Sequence, residues 1–289
     1  MRDLGFLDAP VLIFGGPYGN LAATRAVLDE AERLQIPAER VICTGDLAAY
    51  CAEPAETVAL IRAAGIHVVM GNCEESLAAD RDDCGCGFAE GSACDLLSDN
   101  WFAFARRAVP AADKAWMAGL PRRLRLRLNG AVFDVLHGGV DDLGQFVFAS
   151  SPAAVKSAGL DRLGADAVIG GHCGLPFVDP LSDGRLWMNA GVIGMPANDG
   201  TPRGWSAVLR PAGTGLMVEL NAIDIEPDQP ARRMAERGLP WAYAQALRTG
   251  LWPNMDVLPA AERARQGRPI RPLRWLWTPG RPAKLPQIA

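Results

Sequence analysis

Five short segments of this chain carry side chains that could do chemistry, and each follows an apolar run. They are Gly15-Gly-Pro-Tyr-Gly-Asn20, Gly45-Asp46, Gly71-Asn-Cys-Glu74, His137-Gly-Gly139 and Gly170-Gly-His-Cys-Gly174. In open α/β sheets, functional residues collect at the carboxyl ends of strands. A lone Gly-Asp or His-Gly is an ordinary turn, but five such ends in one chain are hard to assign to chance. The whole chain holds three His and seven Cys. Any histidine-based metal site is therefore lean, and an odd number of cysteines cannot all pair within the chain. The first segment is not a phosphate-cradling Walker loop, because the Lys-Ser/Thr pair is missing.

The elements that must position these residues are read from periodicity. Residues 9–14 form a short apolar run ending at Gly15-Gly16, a buried strand. Asn20 then caps a helix to about Leu34, with Leu21, Val27, Leu28, Ala31 and Leu34 on its apolar face. Strands follow at 40–43 and 66–70, separated by a helix over 54–64 with Pro54 in its first turn. These β–α steps predict a layered α/β domain with largely parallel pairing. Helical stretches are expected at about 98–107 and 111–119. Asn129-Gly130, between 124–128 and 131–136, predicts a hairpin, because both turn residues tolerate positive φ. Further strands are expected near 167–170, 185–189, 205–210 and 215–221. The hairpin-rich second half predicts two mixed sheets packed face to face with helices outside, a four-layer αββα sandwich.

The 289 residues, 49% hydrophobic and 21% charged, suffice for one large core or two modest ones. Lys+Arg 29 against Asp+Glu 33 gives no basic excess of the kind that coats nucleic acid. No apolar run approaches the ~18 residues that span a bilayer. Asp3 and Asp8 interrupt what a secretory signal would need. A cytoplasmic location is expected, with free thiols or metal ligands rather than a disulfide framework. The motif-bearing domain is expected over 1–224, with a Cys- and Gly-rich cap loop at 80–97. Residues 225–289 read as a C-terminal extension, first helical and then Arg/Pro-rich. Within it, 266–289 hold five Arg or Lys, five Pro, two Trp and no acid. This stretch reads either as an extended tail that wraps the domain or meets a partner, such as a second copy of the chain, or as a partly disordered end.

The order of these motifs resembles the calcineurin-like metallophosphoesterases, and among them the small bacterial phosphodiesterases and diadenosine-tetraphosphatase-like proteins. That family runs Asp-x-His-Gly-Asn, Gly-Asp, Gly-Asn-His-Asp, His-Gly and Gly-His-x-His. The resemblance covers about residues 9–222 and includes Asn20-Leu-Ala-Ala, Tyr50 and Asn189-Ala-Gly-Val-Ile-Gly-Met-Pro196. It implies a two-sheet αββα sandwich and two divalent ions bridged by one Asp. It also implies hydrolysis of a phosphoester or nucleotide phosphoanhydride by metal-activated water. Carried over by position, Asp46 matches the bridging Asp, Asn72 the Asn ligand, His137 the His-Gly ligand and His172 the first His of the last motif. These four complete one ion's set. The other set fails, because Gly16, Tyr18 and Gly174 stand where its private Asp, His and His belong. One ion is therefore expected rather than two, and the Asp, Asn and His donors suit Mn, Fe or Zn. A lone ion still acts as a Lewis acid, but it cannot clamp attacking and leaving oxygens as a pair does.

Cys73-Glu74 stands in place of the His-Asp that serves the leaving oxygen. Cys73 or Tyr18 is expected as proton donor and Glu74 as orienting carboxylate. The plainer readings are a space-filling Tyr18 and a Glu74 that starts a helix. Arg203 is either a phosphate holder or half of a surface ion pair. Cys84, Cys86, Cys94 and Cys173, with Cys73, admit three readings: thiols that refill the lost ion position, a separate zinc, or unligated cysteines. Cys84-x-Cys86 is tighter than the usual zinc pair. Cys43 and Cys51 read as packing residues, and His67 as structural. The function expected is a metal-dependent phosphoesterase acting on a small phosphorylated substrate, with no membrane or strong nucleic-acid signal. Its rival is a non-hydrolytic metal- or ligand-binding protein that keeps the scaffold and its thiols.

Overall fold

A computed structural model of the protein describes residues 1–87 and 91–282, apart from the side chains of 93–95. Part of the expected cap loop, the side chain of Cys94 and the last residues of the tail lie outside the described residues.

The chain opens with β1 (Arg2–Leu7) and β2 (Val11–Phe14), then α1 (Leu21–Arg33). Asn20 caps α1 by accepting from the Ala23 N–H at 3.1 Å. β3 (Val41–Cys43), α2 (Pro54–Ala64), β4 (His67–Val68) and α3 (Asn72–Ala78) follow. Next come α4 (Ala93–Ala108), α5 (Ala111–Ala118) and the hairpin β5 (Leu124–Leu128) and β6 (Ala131–Val135). Asn129 and Gly130 turn that hairpin with φ of 49° and 83°. α6 (Ala153–Leu163), β7 (Ala167–Gly170), β8 (Phe177–Pro180) and β9 (Leu186–Asn189) lead to the long hairpin β10 (Arg203–Ala212) and β11 (Gly215–Asp224). The chain continues through α7 (Asp228–Glu236), α8 (Trp241–Thr249), α9 (Ala260–Arg263) and β12 (Leu273–Trp277).

The strands form two six-stranded sheets, ordered β1-β5-β6-β7-β9-β8 and β12-β11-β10-β2-β3-β4. Both are mixed: β2, β3 and β4 pair in parallel, whereas β10 runs antiparallel to β2 and β11. Alternation along β2 sets the layers. Val11 and Ile13 face the inter-sheet core with Leu126, Phe133 and Trp205, while Leu12 and Phe14 face the helices. A third cluster packs α6 on the far side of the first sheet. This is the expected αββα order. Among the described residues, no helix is long and apolar enough to cross a membrane.

Several elements differ from expectation. β1, β8, β12 and α6 carry weak periodic signals and were not anticipated. β4 is two residues long rather than five, and α4 begins at Ala93, inside the stretch expected to be loop. Residues 225–289 supply an edge strand, β12, to the second sheet, beside β11.

Trp277 shows why that edge matters. It is fully buried, its indole N–H donates to the Gly184 carbonyl at 2.9 Å, and its ring meets Phe133 of the other sheet edge-on at 5.6 Å. Trp277→Ala should destabilise the fold by about 3–5 kcal/mol. Urea unfolding should show this as a lowered midpoint.

Candidate metal centre

The motif-bearing loops leave β2, β3, β4, β6 and β7 at their carboxyl ends and meet there. Three of the non-glycine residues they deliver have positive φ, Tyr18 at 53°, Asp46 at 60° and His172 at 59°. Such values are uncommon outside glycine, though Asp and His adopt them more readily than most. Among the described residues, eight non-glycine positions have positive φ, and Tyr18, Asp46, Tyr50 and His172 among them line one cavity. Backbone held this way persists where its surroundings over-determine it.

For Asp46, those surroundings are Glu74. Its buried carboxylate accepts from the N–H groups of Asp46 at 2.8 Å, Leu47 at 2.7 Å and Gly71 at 2.9 Å. Glu74 thus joins the loop after β3 to the start of α3. Its oxygens are occupied with backbone, so it acts on the site by positioning.

His137 lies at the centre. Its Nδ1 is 2.6 Å from the Thr44 carbonyl oxygen, which can only accept, so Nδ1 carries the proton. Nε2 then presents a lone pair. It faces Asn72 Oδ1 at 2.9 Å, His172 Nδ1 at 3.1 Å and Asp46 Oδ2 at 3.3 Å. The Asn72 amide is oriented because its Nδ2 donates to the Cys84 carbonyl at 2.9 Å and reaches Cys86 Sγ at 3.3 Å. One extra proton on His137 could serve one of these acceptors well. A single divalent cation would serve all four atoms. The donors of Asp46, His137 and His172 lie within 4.8 Å of one another. The donor set and its convergence therefore fit a metal ion, with the Thr44 carbonyl as the outer partner that fixes a ligating histidine.

The electrostatics agree. Burial opposes charge on Asp46, but His137 and then His172 outweigh it and hold the carboxyl below its ordinary value. Burial likewise opposes charge on His137, and Asp46 outweighs it, lifting the ring above its ordinary value. Burial and the neighbouring His137 push His172 down to about 4. Glu74 is pushed up to about 7 by burial and then by Asp46. Burial, reinforced by Asp46 and Glu74, raises the Cys73 thiol well above its ordinary value.

The half of the site that lacks ligands is filled with rings. A Cβ added to Gly16 would lie 2.6 Å from the Tyr18 ring and 2.6 Å from Val192 Cγ1. A Cβ on Gly174 would lie 3.3 Å from the Trp252 ring. Tyr18 and Trp252 thus occupy space beside the positions where the second ion's Asp and His would stand. Tyr18 meets Tyr50 edge-on at 4.8 Å, and Tyr50 in turn meets Tyr243 at 4.8 Å.

The structure brings Asp46, Asn72, His137 and His172 together, with Cys73, Tyr18 and Cys173 at the cavity wall. It does not bring Arg203 there. That guanidinium bonds Asp199, Thr201 and the Ile270 carbonyl, the ion-pair reading rather than a phosphate site. Cys84 and Cys86 are joined as a disulfide, so neither offers a thiolate to a metal, and the expectation of free thiols is corrected at this pair. Cys173 Sγ accepts from Asn189 Nδ2 at 3.2 Å, and burial pushes its thiol up to about 12. Among the described residues, no cysteine joins a ligand cluster. Trp252 and Tyr243, from the C-terminal extension, also line the cavity and were not anticipated. An aromatic pair beside the breakers Pro240 and Pro253 was the available signal.

A family model described as the calcineurin-like phosphoesterase superfamily domain matches residues 17–210. A search of curated proteins finds no match. Among solved structures, a metallophosphoesterase from Sphaerobacter thermophilus is 21% identical. It aligns with 85% of this chain and 100% of its own, at a TM-score of 0.65. A hypothetical protein from Pyrococcus horikoshii OT3 is 15% identical over 84% of this chain and 99% of its own, at a TM-score of 0.70. At these identities the likeness is one of fold.

Two outcomes follow from the geometry. Glu74→Gln leaves an amide where a carboxylate accepted three N–H groups, and should cost about 1–3 kcal/mol of stability in chemical denaturation. Gly16→Asp drives a side chain into the Tyr18 ring and should lower thermal stability by about 1–3 kcal/mol. Adding Tyr18→His to that variant should recover part of the loss.

Proposed function

Because the chain belongs to the calcineurin-like phosphoesterase superfamily, we propose that it hydrolyses a small phosphate ester with a single divalent ion. The observation that carries this reading is the convergence of three donor atoms on a fourth, His137 Nε2, with the rings of Tyr18 and Trp252 beside Gly16 and Gly174. Asp46, Asn72, His137 and His172 would hold the ion, of the Mn, Fe or Zn class. When bound, such an ion polarises a phosphoryl oxygen and makes water a better nucleophile.

The chain's own residues supply the rest. The Thr44 carbonyl holds His137 in one tautomer. Glu74 holds the Asp46 loop against α3. Cys73 lines the cavity, its N–H donating to Asp46 Oδ1 at 3.4 Å, and it is the donor proposed for the leaving oxygen. Burial, then the Asp46 carboxylate, pushes the Tyr18 phenol well above its ordinary value, so Tyr18 is proposed as a hydrogen-bond donor in the same lining.

A second reading is a non-hydrolytic metal- or ligand-binding protein, favoured by the absence of the second ion's three ligands. The proposal also takes the protein to be cytoplasmic. It further includes self-association through the C-terminal extension, where Trp241 and Leu276 are exposed.

The test is metal analysis with a broad phosphate-ester panel on manganese-loaded protein. One ion per chain and measurable hydrolysis are expected. His137→Ala should lower metal affinity by more than the about 10–100-fold typical of an outer-partner change. Stoichiometric metal without hydrolysis of any ester would favour the second reading. Metal binding and hydrolysis untouched by His137→Ala would sink both.

A further inference from the structure

The lining of the cavity beside the metal centre mixes two kinds of side chain. Asp46, His172 and Cys73 are polar or ionisable. Tyr18, Tyr50, Phe146, Tyr243, Trp252 and Met195 are aromatic or apolar. Among the described residues, no Lys or Arg lines the cavity, and the one arginine expected near it, Arg203, is engaged elsewhere. Sites that take phosphate chains commonly line them with Arg or Lys, which neutralise the oxygens and hold them by bidentate or point-charge contacts. Among the described residues, the positive charge at the cavity would come from a single ion, and Asp46 already offsets part of it. One phosphate group uses up what remains. Each further phosphate would bring uncompensated negative charge into an aromatic compartment, where it would be poorly solvated.

Several of these rings are also held in place by hydrogen bonds or ring contacts. The Trp252 indole N–H donates to the Pro196 carbonyl at 2.7 Å, and its backbone N–H donates to Asn198 Oδ1 at 2.8 Å. Tyr50 is braced edge-on and obliquely by Tyr18, Trp101 and Tyr243, each at 4.8 Å. Phe146 lies over the His172 ring at 4.2 Å. Fixed rings favour another ring through edge and offset contacts that an aliphatic chain cannot make.

From these two features we propose that the compartment beside the metal centre is a specificity site for a flat aromatic group. The substrate is then a monophosphate ester of an aromatic alcohol, and nucleoside polyphosphates are excluded. The inference rests on the single-ion reading of Asp46, Asn72, His137 and His172. Trp252 and Tyr243 set preference, while the four ligands set chemistry.

Binding can be measured without turnover. Manganese-loaded full-length protein is titrated in a calorimeter with phenylphosphonate, methylphosphonate and inorganic tripolyphosphate. Phenylphosphonate should bind at least about tenfold tighter than methylphosphonate, a margin within reach of buried aromatic contacts. Tripolyphosphate should be the weakest of the three. Trp252→Ala should erase most of the phenyl preference without loss of bound manganese, and Trp252→Phe should restore it. If Trp252→Ala fails to fold, Tyr243→Leu and the wild-type ranking still decide. Equal binding of the two phosphonates, tightest binding of tripolyphosphate, or a phenyl preference that survives Trp252→Ala would overturn the proposal. A phenyl preference in a protein that hydrolyses nothing would leave this inference standing and remove the proposed reaction. Hydrolysis of alkyl and aryl esters at equal rates, with equal phosphonate binding, would do the reverse.

Discussion

Three backbone N–H groups on two loops share one buried carboxylate, that of Glu74. Much of the centre depends on that arrangement. It fixes Asp46 in a left-handed conformation that an aspartate holds only under constraint. It sets the start of α3, and with it the Asn72 side chain. Asp46 and Asn72 then face the same nitrogen of His137, whose other nitrogen is anchored to Thr44. A carboxylate that touches neither cavity nor substrate therefore decides whether the donors converge. Its cost is visible in the same place. Burial beside Asp46 lifts Glu74 to about 7, so the fold sets two carboxyl groups side by side where one must stay charged. The cations it can gather, a protonated His137 or a metal, are what make that arrangement tolerable.

Where the second ion's ligands are missing, the space is not left open. Gly16 and Gly174 give up side chains, and Tyr18 and Trp252 lay rings beside them. Apolar ring surface therefore stands where the family's motif has polar donors. An ion at the retained donors would sit against aromatic walls, and interactions there are stronger than in water.

Much of this was legible from the residues because the informative signals are local. A short apolar run followed by glycine marks each strand end, Asn20 marks a helix start, and Asn129-Gly130 marks a tight hairpin. The four converging donors follow from motif order alone. What escaped was non-local. β1 and β12 are edge strands with half-exposed, charged sequences, and they become strands only because β5 and β11 offer free edges. Arg203 looked available for phosphate, yet Asp199, four residues earlier, claims it. The cysteines were numerous enough to suggest a thiolate centre, but spacing could not say that Cys84 would bond Cys86. Trp252 enters the cavity from a segment with no counterpart among the motifs.

That last feature has a consequence in the order of synthesis. The donors come from residues 46 to 172, whereas Tyr243 and Trp252 leave the ribosome after both long strands of the β10–β11 hairpin. The second sheet is likewise closed at one edge only when Trp275 and Trp277 have emerged. Folding therefore joins partners more than a hundred residues apart, the arrangement that makes folding slow. A growing chain therefore has its four converging donors in hand before the rings of Tyr243 and Trp252 that line the cavity beside them. The two parts of the site are made at different times on one polypeptide.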